Sequence, residues 1–121
     1  GGWEAWLAFF LQGVAEVSVQ ATETARRILA LREEHRAAIA ANLGRTAGKG
    51  HLVLEQLLVR PIVSVNEVRE WIGTTYPAAN QLVEKLVAIG VLAEITGQSR
   101  NRKFRYDPYF RLFQPEREED E

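Results

Sequence analysis

Four basic side chains, Arg100, Arg102, Lys103 and Arg105, fall within one short stretch of this chain. Upstream, Thr74, Thr75 and Tyr76 open a segment that goes on to carry Asn80, Gln81 and Lys85. Guanidinium and ammonium groups bind phosphate oxygens, and side-chain amides can read base edges through paired hydrogen bonds. Backbone N–H groups at a helix start suit a phosphate as well. The pattern points to nucleic-acid contact through Thr75, Asn80, Gln81 and Lys85 on a helix, and through Arg100, Asn101, Arg102 and Lys103 on a hairpin. Two observations weigh against it: Glu84 shares the helix face and would meet phosphates, and Thr75 reads equally well as a helix cap. Tyr76 reads as a core or staple residue.

Covalent and metal chemistry find little support. The chain has no cysteine and only two histidines, His35 and His51, which form no group with metal-ligand spacing. His35 stands beside Glu33, Glu34 and Arg36 and reads as a partly exposed helix residue. Lys49 lies among the glycines of 44–50, but the frame of a phosphate loop, with a hydroxyl residue directly after its Lys, is missing. No Ser-His-Asp grouping is present. We expect no catalytic residue, no metal and no cofactor in this chain.

The elements that must position the basic and amide groups follow from local signals. Ser64 and Glu67 form an S-x-x-E capping box, Gly73 suits the left-handed residue that ends a helix, and Thr75 with Pro77 starts the next. In that next helix Ala79, Leu82, Val83, Leu86 and Ile89 recur at helical spacing, which turns Asn80, Gln81, Glu84 and Lys85 outward. Gly90 stops it. Residues 91–96 read as a strand, 97–101 as a hairpin tip and 103–106 as the return strand, while Ile62 and Val63 suit a short first strand. Two helices across a tight turn followed by a basic hairpin make a winged helix-turn-helix.

Residues 3–43 contain no Pro and a single Gly, which predicts one helix of about 40 residues, roughly 60 Å long. Trp3, Leu7, Phe10, Val14, Val17, Ala21, Thr24, Ile28, Leu31 and His35 alternate four and three apart, the period of a coiled-coil seam. Trp6, Phe9 and Leu11 add apolar bulk beside it. The spacing predicts a homodimer interface at Trp3, Trp6, Leu7, Phe10, Val14 and Val17. Glu4, Gln12 and Glu16 interrupt the apolar run, which argues against a signal or membrane span and for a cytoplasmic protein. A linker at 45–50 and a helix at 51–59, ended by Pro61, join the two parts. Trp71 reads as core and 109–113 as an aromatic turn.

The fold class is therefore mainly α with a small β-hairpin: a long helix over 1–44, a winged helix-turn-helix over 45–113 and an acidic, disordered tail over 114–121. The formal net charge of −1 hides a segregation: 45–113 holds ten basic and six acidic side chains, whereas 114–121 holds one Arg and five acids. A local basic patch favours a polyanion such as double-stranded DNA. No Met stands at position 1, so the chain reads as part of a longer protein or as processed at its start.

Read together, WEAWLAFFLQGVAEVSVQATETARRILAL, LVLEQLLVRPIVSVNEVREWIGTTYPAANQLVEKLVAIGVL and ITGQSRNRKFRYDPY resemble the C-terminal part of bacterial Fic (filamentation) family proteins. Trp6, Phe9 and Phe10 match the opening of that family's long helix, which closes the back of its catalytic helical domain. Arg100, Asn101 and Arg102 match its wing. The resemblance implies an upstream catalytic domain that transfers AMP from ATP to a protein hydroxyl (AMPylation), using a His-Pro-Phe-x-(Asp/Glu)-Gly-Asn-Gly-Arg loop. This sequence lacks that loop, so the chain itself is expected to be an accessory end. It would either bind DNA for targeting or autoregulation, or serve as a protein-interaction or dimerisation module.

Overall fold

The computed structural model of the protein describes residues 2–97 and 101–114. The hairpin-tip residue Arg100 and the tail from 115 onward, both singled out above, lie outside the described residues.

Helix α1 spans Gly2–Asn42. With no proline to remove a backbone donor, it runs unbroken, supported on its surface by pairs such as Arg27 with Glu23 at 3.4 Å. Only its last third joins the core: His35 and Ile39 are buried, as is Leu43 just beyond the helix.

The chain then turns through a single 3-10 turn, Gly44–Thr46, into α2, Ala47–Leu57. This corrects the expected linker at 45–50 and the expected helix start at His51. Glycine lowers helix propensity, but here packing outweighs it. Gly50 is buried where α2 crosses α1, and a Cβ on it would lie 2.7 Å from Leu43 Cδ2 and 3.0 Å from Ile39 Cγ2. The residue that looked like a linker glycine is a point of close helix approach.

Strand β1, Ile62–Ser64, leads directly into α3, Val65–Ile72. The capping box forms as expected: Glu67 N–H donates to Ser64 Oγ at 3.2 Å and Ser64 N–H donates to Glu67 Oε1 at 2.9 Å. Gly73 ends the helix at φ +63°. Helix α4, Tyr76–Ala88, follows after residues 73–75, and buries Ala79, Leu82, Val83 and Leu86.

Strands β2, Ala93–Glu94, and β3, Lys103–Arg105, complete an antiparallel sheet in the order β1-β3-β2. Phe104 in the middle strand faces Val63 on one side and Glu94 on the other. The strand expected over 91–96 is shorter because the Val91 and Leu92 N–H groups donate to Leu86 O, at 2.9 and 3.2 Å, and close the helix end instead. Both side chains are buried. The return strand likewise stops at Arg105, and Tyr106 N–H donates to Pro61 O at 2.7 Å.

The last helix, α5, spans Asp107–Arg111. Tyr109 stacks on Tyr106 with centroids 5.9 Å apart, which realises the expected aromatic turn. Trp71 is half-buried against the core. The architecture is thus mainly helical with a small three-stranded sheet. No helix of the described residues is long and apolar enough to cross a membrane.

Candidate nucleic-acid interface

Thr75 takes an extended conformation and its Oγ1 accepts from Ala78 N–H at 3.3 Å, so this residue caps α4. With the apolar stripe of α4 turned to the core, Gln81, Glu84 and Lys85 are exposed and Asn80 is half-buried. Tyr76 is 48% exposed, so the expected core or staple role does not hold; it is the first helical residue, ahead of the buried stripe.

The described hairpin cations Arg102, Lys103 and Arg105 each lie near a carboxylate. Arg102 turns back onto α4 and β2, with its guanidinium 2.5 Å from Glu84 and 3.6 Å from Glu94. It also lies over the Phe104 ring, 4.9 Å from the centroid. Lys103 Nζ sits 4.0 Å from Glu67 Oε1, whose carboxylate also receives Arg60 at 3.3 Å. Arg111 and Arg105 each reach Asp107 at 2.7 Å. The Arg111 hydrogen bond, opposed by desolvation and aided by Arg105, holds the Asp107 carboxyl below its usual range. Asn101, at φ +54°, lines a polar cleft of about 270 Å³ with Ser64, Asn66, Tyr76, Arg102 and Lys103.

Four cations have no carboxylate partner among the described residues: Arg45, Lys49, Lys85 and the half-buried Arg69. Lys49 and Lys85 line a cleft of about 60 Å³ between α2 and α4, together with Thr46, Thr74 and Gln81. Lys85 Nζ donates to Thr46 Oγ1 at 3.4 Å. Local sequence around Lys49 shows only a run of glycines without the frame of a phosphate loop. The surplus of basic over acidic side chains in 45–113 was the one signal for such a site, and it carries no address.

The expected dimer residues share the free end of α1. Trp3 is 70% exposed and Trp6 58%, and Phe10, Val14 and Val17 are exposed while Leu7 is half-buried. Trp6 and Phe10 stack on one another with centroids 5.5 Å apart. Together with Phe9, Gly13 and Ser18 they line one continuous apolar stripe.

His35 departs from its expected exposure. It is buried, with Nδ1 2.6 Å from the Tyr106 hydroxyl, because the end of α1 packs against the chain after the sheet rather than against solvent. Desolvation lowers its pKa, partly opposed by Glu34, and burial raises that of Tyr106. His51 is half-buried. Among the described residues no three His, Cys, Asp or Glu side chains come together as a metal site.

Compared with known proteins, the chain matches no family model, no curated protein and no solved structure.

Proposed function

We propose that residues 45–113 form a winged helix-turn-helix that binds duplex DNA, as the accessory end of a Fic-type protein. The observation that carries the reading is the polar outer face of α4, with Gln81 and Lys85 exposed beside half-buried Asn80, on a helix that follows α3 across residues 73–75 and precedes a two-stranded hairpin. A helix so presented suits a major groove. Glu84 weighs less against DNA than its type suggests, since Arg102 neutralises it. The Fic part of the proposal rests on the resemblance of Trp6, Phe9 and Phe10 and of Arg100, Asn101 and Arg102. It assigns AMP transfer to an upstream catalytic domain and leaves this chain without a catalytic step.

A second reading, a protein-interaction or dimerisation module, draws on one specific observation: the exposed apolar stripe of α1 from Trp6 to Val17. In the Fic reading the catalytic helical domain would cover that stripe. Titration with duplex DNA across a range of salt separates the two. DNA binding predicts a steep salt dependence, with Asn80→Ala or Gln81→Ala costing about 1–3 kcal/mol on a preferred sequence. If no duplex is bound at low salt, the interaction reading replaces it.

A further inference from the structure

Each described cation of the hairpin has a carboxylate at hand, whereas the cations of the α2–α4 cleft have none. Arg102 is held by Glu84 and Glu94, Lys103 lies 4.0 Å from Glu67, which Arg60 shares, and Arg105 is bonded to Asp107, which Arg111 shares. A cation with a carboxylate within about 4 Å presents a weaker net field to a polyanion than one without, in salt solution where charges are screened over about 8–10 Å. Lys49, Lys85 and the exposed Arg45 have no carboxylate within ion-pair distance among the described residues.

We infer that the main backbone-phosphate site of this module is the α2–α4 cleft, formed by Lys49 and Lys85 with Thr46 as the positioning residue, and not the hairpin. The inference rests on the DNA-binding reading and extends it to residues on α2 and the preceding turn. Thr46 Oγ1 donates to Leu43 O at 2.7 Å, so its lone pairs face away from that bond, and one of them accepts from Lys85 Nζ. The hydroxyl thus tethers one ammonium donor and leaves two for phosphate oxygens. Lys49 reaches the same cleft from α2, and Gln81 and Thr74 add an amide and a hydroxyl at the rim of a floor that Ile72, Ala78 and Leu82 make apolar. Two ammonium groups beside one small cleft repel each other, and an anion seated between them relieves that repulsion. Lysine, a compact charge with rotatable donors, suits a phosphate whose orientation varies with the sequence of the duplex.

The test is duplex binding measured over a range of salt for the native chain, the Lys49→Gln/Lys85→Gln double variant and the Lys103→Gln variant. Thermal melts of all three control for folding. Each lost phosphate contact lowers the slope of log K against log salt by about 0.9. The double variant is expected to lose close to two units of slope at every sequence tested, and Lys103→Gln less than half a unit. A double variant that loses less than one unit while Lys103→Gln loses a full unit returns the phosphate site to the hairpin and overturns this inference, with DNA binding itself intact. A native chain that binds no duplex at low salt overturns both.

Discussion

His35 Nδ1 and the Tyr106 hydroxyl, 71 positions apart in the chain, meet at 2.6 Å inside the protein. Their rings stand 5.3 Å apart at an interplanar angle of 55°. The contact joins the last third of α1 to the residue that follows the middle strand of the sheet. With the imidazole proton on Nε2 the hydroxyl donates to Nδ1, and with it on Nδ1 the ring donates to the hydroxyl oxygen, so the neutral histidine makes the bond in either tautomer. Burial, which lowers the His35 pKa, favours that state.

Stability is expected to fall as pH drops below about 6.5, the ordinary histidine value. The folded chain resists protonation of His35 while the unfolded chain takes up the proton, so in the window from about 6.5 down to the lowered folded value the unfolded state binds more protons. Above that window the contribution of neutral His35 is fully present. Denaturant unfolding at pH 7.5 and 5.5, in a range where carboxylates stay ionised, should show the loss for the native chain and a smaller one for His35→Asn. Tyr106→Phe, which removes the partner hydroxyl, should cost about 0.5–1.5 kcal/mol at pH 7.5. Equal pH dependence in both His35 forms would rule out this histidine as the cause.

Gly50→Val should destabilise the protein by about 1–3 kcal/mol, because the added branches enter the space held by Ile39 Cγ2 and Leu43 Cδ2 at the α1–α2 crossing. Gly50→Ala gains about 1 kcal/mol of helix propensity and meets first the movable end of Leu43, so its net change should stay within about 1 kcal/mol. Equilibrium unfolding measures both. A Gly50→Val variant as stable as the native chain would mean the crossing is looser than the contact distances indicate.

Glu84→Gln should tighten duplex binding and steepen its salt dependence. The substitution removes a negative charge from the outer face of α4 and releases Arg102 from its closest carboxylate, leaving only Glu94 at 3.6 Å. Arg102→Ala should weaken binding, since it leaves Glu84 facing the phosphates. In the double variant the two effects should not add, because one residue acts through the other. Purely additive effects would show that Arg102 contacts DNA by itself.

In solution without another protein, the chain is expected to self-associate through α1. Trp3, Trp6, Phe9 and Phe10 are 70%, 58%, 77% and 50% exposed. At about 150–250 Å² for a whole aromatic side chain, they leave on the order of 500 Å² in water, and Leu11, Val14 and Val17 raise it toward the ~800 Å² that one partner contributes to a stable interface. Sedimentation at tens of micromolar should report a species heavier than a monomer, reduced to a monomer by Trp6→Ala with Phe10→Ala. A native chain that sediments as a monomer would show that the stripe alone does not drive association.

The parts of the molecule that were legible in the sequence are those whose interactions close within a few residues. The Ser64–Glu67 box, the left-handed Gly73, the Thr75 cap and the apolar period of α4 each depend on neighbours one turn away, and each forms where its signal stands. The same holds for the length of α1, which required only the absence of proline. Strand β2 is shorter than the run 91–96 predicts because the end of α4 competes with the sheet for the Val91 and Leu92 N–H groups.

By itself the sequence determined the mainly helical character, the order of helices and strands, and which residues of α4 face inward, since helix and strand periods and caps are properties of contiguous chain. Tertiary structure alone decided which charges remain uncompensated. Arg102 and Lys49 are both basic residues near glycines, yet the closing of the hairpin onto α4 neutralises the first with Glu84 and Glu94, and the crossing of α2 over α1 leaves the second without a partner beside Lys85. The same closure buries His35 against Tyr106 and turns Gly50 from a linker residue into a contact. A charge's field and a side chain's burial depend on what lies within a few ångströms in space, and for these residues those neighbours come from distant parts of the chain.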